Sequence, residues 1–254
     1  VDLGYYSRAS TMESAASVAT SMALGQVIFP TFSPYQDDNE KLRRVHSTTI
    51  RMSMFLMAPL MIGLIVVAEP LFLFLLTDKW ANSIPYFQLL CIVGIFFPIV
   101  VQNYNLLRIK GRSDLHLKLE IVKYILTAIA IALTYKSGII ALLYGQICVA
   151  ILSHVLVSHF AGKLIDYSLL DQLKELFSIV TTALVMGFAM YLVGKLDLES
   201  NFLMFTLQAI AGVLVYIGMN TIIKSAELIE YKSIAGNFIK TLLAKVKSLA
   251  WKRR

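Results

Sequence analysis

The chain has 254 residues, 57% of them hydrophobic and only 15% charged. That balance excludes an ordinary soluble domain, in which about a quarter of the residues carry charge. The formal charge of +7 is divided among short loops and a tail, which argues against a nucleic-acid-binding patch.

Seven apolar stretches follow one another, at roughly 11–33, 52–76, 84–107, 119–135, 139–161, 176–194 and 202–223. Most approach the roughly 20 apolar residues that a membrane-crossing helix needs. In hydrocarbon every backbone polar group must be paired within its own element, so stretches of this kind form helices. The fold class is therefore all-α: a polytopic membrane protein with about seven spans. Val1 opens the sequence without a signal-peptide pattern, and Val1-Asp2-Leu3-Gly4-Tyr5-Tyr6 reads like a chain entered partway through.

The first stretch interleaves Ser10, Thr11, Ser14, Ser17, Thr20 and Ser21 with alanines, a composition suited to close contact with protein or to an aqueous cavity. Pro30 is expected to bend or end it. The second stretch contains Pro59 and Glu69-Pro70, with two expected kinks, and Asp78-Lys79-Trp80 follows as a short turn with an interfacial tryptophan. The third contains Pro98 and ends in the polar set Gln102, Asn103 and Asn105, just ahead of Arg108. Lys136-Ser137-Gly138 joins the fourth and fifth stretches in a tight hairpin. A longer polar connection over 162–175 divides a five-span lobe (1–162) from an appended two-helix hairpin (176–223). The tail, 224–254, carries Tyr231, Ile234, Ala235, Phe238, Leu242, Val246 and Leu249 at helical spacing among lysines, the pattern of a basic amphipathic helix at a membrane surface. Cys91 and Cys148 both fall inside spans and read as packing residues.

Charge gives the orientation. If the loop after the first stretch is cytoplasmic, that side collects 19 of the 23 basic residues, leaving only Arg8, Lys79, Lys136 and Lys195 on the other. The positive-inside rule then puts the C-terminus in the cytoplasm. The same rule accounts for Arg43, Arg44, Arg51, Arg108, Lys110 and Arg112 on the inner rim; recruitment of an anionic lipid headgroup is the sharper alternative. Arg8 fits either an interfacial anchor or a ligand-binding cation. Gln26, Gln102, Asn103 and Asn105 suit either a polar cavity that contacts sugar hydroxyls or bonds between helices. His154 and His159 are five apart and do not share a helical face, so they do not form a metal pair. Neither a phosphate-cradling loop nor a catalytic or cofactor motif is visible, so catalysis has no positive support and no metal or cofactor is expected.

Leu3-Gly4-Tyr5-Tyr6-Ser7-Arg8-Ala9, Val27-Ile28-Phe29-Pro30-Thr31-Phe32-Ser33, Gln36-Asp37-Asp38, Lys79-Trp80 with Pro85, and Gly111-Arg112-Ser113-Asp114 occur in this order. Together they resemble the second half of the Wzx-type polysaccharide flippases of the multidrug/oligosaccharidyl-lipid/polysaccharide exporter superfamily. The resemblance covers about residues 1–160. It implies a transporter of two six-helix lobes, of which this chain supplies most of the C-terminal one. The implied activity is alternating-access transfer of an undecaprenyl-pyrophosphate-linked oligosaccharide, as in O-antigen assembly, across the bacterial inner membrane. The substrate and membrane lipid are the implied partners, with other polysaccharide-assembly proteins beside them and no nucleic acid. The implied site centres on Arg8, in the first matched motif with Tyr5, and takes in Gln26, Gln102, Asn103, Asn105 and Arg108.

Competing readings are a cation-coupled multidrug exporter, for which only Glu13 and Glu69 offer intramembrane acids, a membrane-embedded polysaccharide polymerase or ligase, for which the outer loops are short, and a scaffold subunit.

Overall fold

A computed structural model describes residues 2–28, 38–196, 198 and 200–233, apart from the side chains of residues 19 and 21–28. The helices, in chain order, are α1 (Asp2–Ile28), α2 (Asn39–Val66), α3 (Ala68–Leu76), α4 (Ile84–Ile109), α5 (Ser113–Thr134), α6 (Ile139–Gly162), α7 (Leu169–Val193) and α8 (Asn201–Ile222). A 3₁₀ turn at Asp78–Ser83 leads into α4, and a short helix occupies 226–233. No strand occurs among the described residues.

Local chemistry fixes most boundaries. Asp38 caps α2 by accepting a 3.1 Å hydrogen bond from the Lys41 N–H, and the hydrogen bonds from Lys41 hold its carboxyl below the usual range. Ser168 and Asp171 form a reciprocal capping box that starts α7 two turns ahead of its apolar stretch, shortening the expected 162–175 connection to 163–168. Pro85 enters α4 in its first turn, where a missing N–H costs nothing. The second stretch is interrupted once, beside the second of its two expected kink positions. α2 runs through Pro59 and stops at Val66, because Pro70 has no N–H to offer the Val66 carbonyl. The helix restarts as α3 after Val67. Pro30 lies outside the described residues.

α2 is the central helix. It packs against α4 on one side and α7 on the other, burying Ile50, Met54, Met57, Ala58 and Met61. α4 in turn packs against α1 and α6, α6 against α5, and α7 against α8. Glycines permit the closest approaches: a methyl on Gly187 of α7 would lie 2.6 Å from Ile62 Cγ2 of α2. α5 lies at the periphery, with Leu119 its sole buried side chain and Leu117, Ile125, Ile129 and Leu133 exposed. After α8, Lys224 takes a left-handed turn (φ 54°) and the chain returns to α2. There Tyr216 and Tyr231 flank Phe55, and their hydroxyls donate to the Phe55 and Met52 carbonyls, each at 2.9 Å. The start of the expected surface tail is thus packed on protein; residues 234–254 lie outside the described residues.

Among the described residues, five segments are long and apolar enough to cross a membrane: α2, α4 with its preceding turn, α6, α7 and α8. The other two long helices, α1 and α5, have 27 and 22 residues but are diluted by hydroxyls in α1 and by Lys118, Glu120 and Lys123 in α5. Cys91 is buried as expected, whereas Cys148 is exposed on α6, a correction to its reading as a packing residue.

Candidate substrate-binding surface

The helices alternate in direction, so the bundle has two ends. At one end the α3–α4 turn, the start of α1 and the α7–α8 turn meet; at the other lie the ends of α4 and α6 and the starts of α2 and α7. The polar residues singled out in the sequence divide between these ends.

At the first end, Trp80 lies beside α1. The Arg8 guanidinium sits 5.1 Å from the centre of its indole ring, and the Tyr5 ring meets it edge-on at 6.0 Å. Arg8 and Tyr5 are one helical turn apart, so a single tryptophan can hold both. Arg8 is exposed and forms no ion pair among the described residues. An aromatic face attracts a guanidinium without neutralising it, so the charge and its donors remain available. One and a half turns further along α1, Glu13 accepts a 2.6 Å hydrogen bond from Ser17, and its carboxylate approaches Gly94 of α4 so closely that an added methyl there would lie 2.8 Å away.

At the second end, Asn103 joins four helices and is fully buried. His46 of α2 donates from Nε2 to Asn103 Oδ1 at 3.2 Å, the amide oxygen having no proton to give. Asn103 Nδ2 donates to the Ile99 carbonyl at 2.9 Å, to Ser158 Oγ of α6 at 3.1 Å and, more weakly, to Gln172 Oε1 of α7 at 3.5 Å. Ser158 then lies 3.2 Å from His154 Nδ1. Beneath this set, Glu175 accepts from the Tyr167 hydroxyl at 2.6 Å and from Ser47. Burial, and next the Glu175 carboxylate, push the Tyr167 phenol above its usual range. Gly162 makes the crossing of α6 and the 163–168 loop possible, since a methyl there would lie 2.0 Å from the Tyr167 carbonyl oxygen. Asn103 therefore takes the second of its two readings, bonding between helices.

The remaining sequence candidates are placed separately. Asn105 donates to Gln102 at 3.4 Å, both half-buried on α4. Arg108 is exposed and donates to His116 Nδ1 at 3.4 Å. The Gln26 side chain lies outside the described residues. The arginines for which headgroup recruitment was the alternative to the charge rule are largely engaged within the chain: Arg43 with Asp171 at 3.7 Å, Arg44 with Glu40 at 2.7 Å, Arg51 with Glu227 at 3.6 Å and Arg112 with Asp114 at 3.1 Å. Residues 1–160 gave no hint of Glu227 as a partner, because it joins α2 from the far end of the chain. Trp80, Glu13, His46, Ser158 and Gln172 were absent from the expected site; for the last three the available signal was a polar residue within two turns of the same end of an apolar helix. Between α4, α5 and α6 a largely apolar groove of about 720 Å³ opens, with Phe96, Phe97 and Leu142 along it and Lys123 paired to Glu120.

This architecture defines a multi-pass helical membrane protein. It is similar to the lipid II flippase MurJ in its inward closed conformation, with a TM-score of 0.72 over 87% of this chain and 46% of that one; at 18% identity the likeness is one of fold. A family model described as polysaccharide biosynthesis protein matches residues 1–85. The sequence is 32% identical over 132 residues to the lipopolysaccharide biosynthesis protein WzxC of Escherichia coli (52% of this chain, 27% of that protein). It is 28% identical over 113 residues to the teichuronic acid biosynthesis protein TuaB of Bacillus subtilis (44% and 23%). It is also 34% identical over 98 residues to the succinoglycan biosynthesis transport protein ExoT of Rhizobium meliloti (38% and 20%). Each of these matches spans less than a third of the relative's own length.

Proposed function

We propose that this chain forms one lobe of a flippase that carries an undecaprenyl-pyrophosphate-linked oligosaccharide to the outer leaflet of the bacterial inner membrane by alternating access. The observation that supports this most directly is Arg8: an unneutralised guanidinium, held over Trp80 on a helix of the matched family segment. A pyrophosphate has oxygens spaced for the two-pronged donation of a guanidinium. Tyr5, beside the same tryptophan, adds a hydroxyl at the same level. The groove along α4, α5 and α6 offers an apolar bed for the carrier's hydrocarbon chain. In this reading the Asn103 end and the C-terminus face the cytoplasm, in keeping with the excess of basic residues there. The chain moves its ligand and does no covalent chemistry on it.

The relatives named for lipopolysaccharide, teichuronic acid and succinoglycan biosynthesis favour a lipid-linked saccharide over a small drug as cargo. In a flippase-deficient bacterium, Arg8→Ala in the full-length protein is expected to abolish surface polysaccharide and to leave lipid-linked oligosaccharide on the inner leaflet, at unchanged protein abundance. Arg8→Lys restores charge without the two-pronged geometry and is expected to recover only part of the transport. Normal polysaccharide from Arg8→Ala would overturn the role given to this residue.

A further inference from the structure

A second cavity, of about 630 Å³, opens at the Trp80 end of the bundle, between the α2–α3 corner, the start of α4 and the α7–α8 turn. Its walls carry Glu69, Gln88, Tyr191, Lys195, Asn201 and Gln208. We infer that this cavity binds a sugar unit through its hydroxyl groups.

Three features lead there. First, Gln208 is 3% exposed and its amide is half satisfied: Nε2 donates to the Met190 carbonyl at 3.2 Å, while the buried Oε1 has no donor among the described residues. A buried acceptor left this way costs about 1–3 kcal/mol, which a proton donor reaching it from the cavity would recover. The arrangement depends on Gly194, since a methyl there would lie 2.4 Å from Gln208 Nε2.

Second, among the described residues the cavity walls carry one acid and one base, and these do not pair with each other. Glu69 forms no ion pair among the described residues, and Lys195 lies 5.1 Å from the centre of the Tyr191 ring. Glu69 repels an anionic ligand and Lys195 a cationic one. A neutral ligand whose groups both donate and accept satisfies both, and hydroxyls have that property. Asn201 adds one more donor and acceptor pair.

Third, Tyr191 is exposed beside these polar groups and presents a flat apolar face, against which the C–H side of a pyranose ring can lie. The volume falls within the roughly 300–1,000 Å³ of small-ligand sites.

The ligand class follows from the cavity itself; that the sugar belongs to the transported oligosaccharide rests on the proposed function. The test uses the full-length protein in lipid nanodiscs and, as probe, the oligosaccharide repeat unit released from its carrier by mild acid, alongside the same unit still on its carrier. Saturation-transfer NMR is expected to show contact with the free unit in the wild type. Glu69→Gln and Tyr191→Ala are each expected to weaken binding about tenfold, the equivalent of one good polar contact, with thermal unfolding unchanged. Absence of transfer to the free unit, transfer to the carrier-linked unit alone, or wild-type affinity in both variants would overturn the site. If the free unit binds as expected while the full-length protein fails to restore polysaccharide export, the site stands and the flippase reading falls. Normal export without saccharide binding leaves the flippase reading intact and removes the site.

Discussion

The two ends of the helical bundle treat their polar residues in opposite ways. At the Asn103 end, polar groups from α2, α4, α6 and α7 bond to one another: His46, Asn103, Ser158 and Gln172 in one layer, Ser47, Tyr167 and Glu175 in the next, with His46 Nδ1 and Gln172 Nε2 left over without a partner among the described residues. At the Trp80 end, Arg8, Glu69 and the Gln208 carbonyl have no partner of opposite character within the described residues. A side chain bonded across helices holds them together; one that lines an open surface without such a bond is available to a ligand. The difference separates a structural clasp from a binding surface although both consist of similar residue types. It also separates Arg8 from the arginines of the opposite end, so prominent in the sequence. Four of them already face a carboxylate.

Substitutions at the two ends sharpen this contrast. The largest loss of stability is expected from Gly162→Ala, whose methyl would lie 2.0 Å from the Tyr167 carbonyl oxygen. Backbone cannot yield as a flexible side chain does, so the 163–168 loop must move and Tyr167 must leave Glu175. A destabilisation of about 3 kcal/mol is expected, read as a lowered midpoint of thermal unfolding in detergent with faster hydrogen exchange over 163–168. An unchanged midpoint would mean that the loop is not held as described. Asn103→Leu is next: it keeps the branched shape but removes the amide that His46 and Ser158 share. Interhelical hydrogen bonds in membranes are worth about 0.6 kcal/mol each on average, and stranded buried partners add to the loss. About 2 kcal/mol is expected, and an Asn103→Leu protein as stable as the wild type would refute the clasp. Glu69→Gln, at the open end, is expected to change stability by less than about 0.5 kcal/mol while weakening saccharide binding as described above. Equal stability losses from Asn103→Leu and Glu69→Gln would erase the distinction between the ends.

Much of the fold was legible in the sequence, because membrane insertion is governed by a local quantity. Each helix must present an apolar stretch of sufficient length, and those stretches are visible residue by residue. Where the sequence reading and the structure differ, a polar residue decides. The Ser168 and Asp171 capping box pulls the start of α7 back into what looked like a loop. Asp38 likewise starts α2 well before its apolar portion. Pro70 places the interruption at Val67 and leaves Pro59 inside a continuous helix. The candidate site was less legible. Arg8 and Tyr5 stood out through the motif they share, but Trp80, which gathers them, had only its interfacial position to recommend it. Asn103 carried no mark that distinguished a cavity-lining amide from one that ties helices together.

The sequence by itself determined the class of protein, the approximate number and order of its helices, and the asymmetry of charge between its two sides. Hydropathy and charge are summed along the chain, so no long-range contact is needed to read them. The tertiary structure alone decided which polar residues are spent on one another. The partners of Asn103 lie 55 to 69 residues away along the chain, and helix packing brings them within hydrogen-bonding distance. The same packing leaves Arg8 on its tryptophan and the Gln208 side-chain amide in the wall of a cavity, with no ion pair to Arg8 and no donor to Gln208 Oε1 among the described residues.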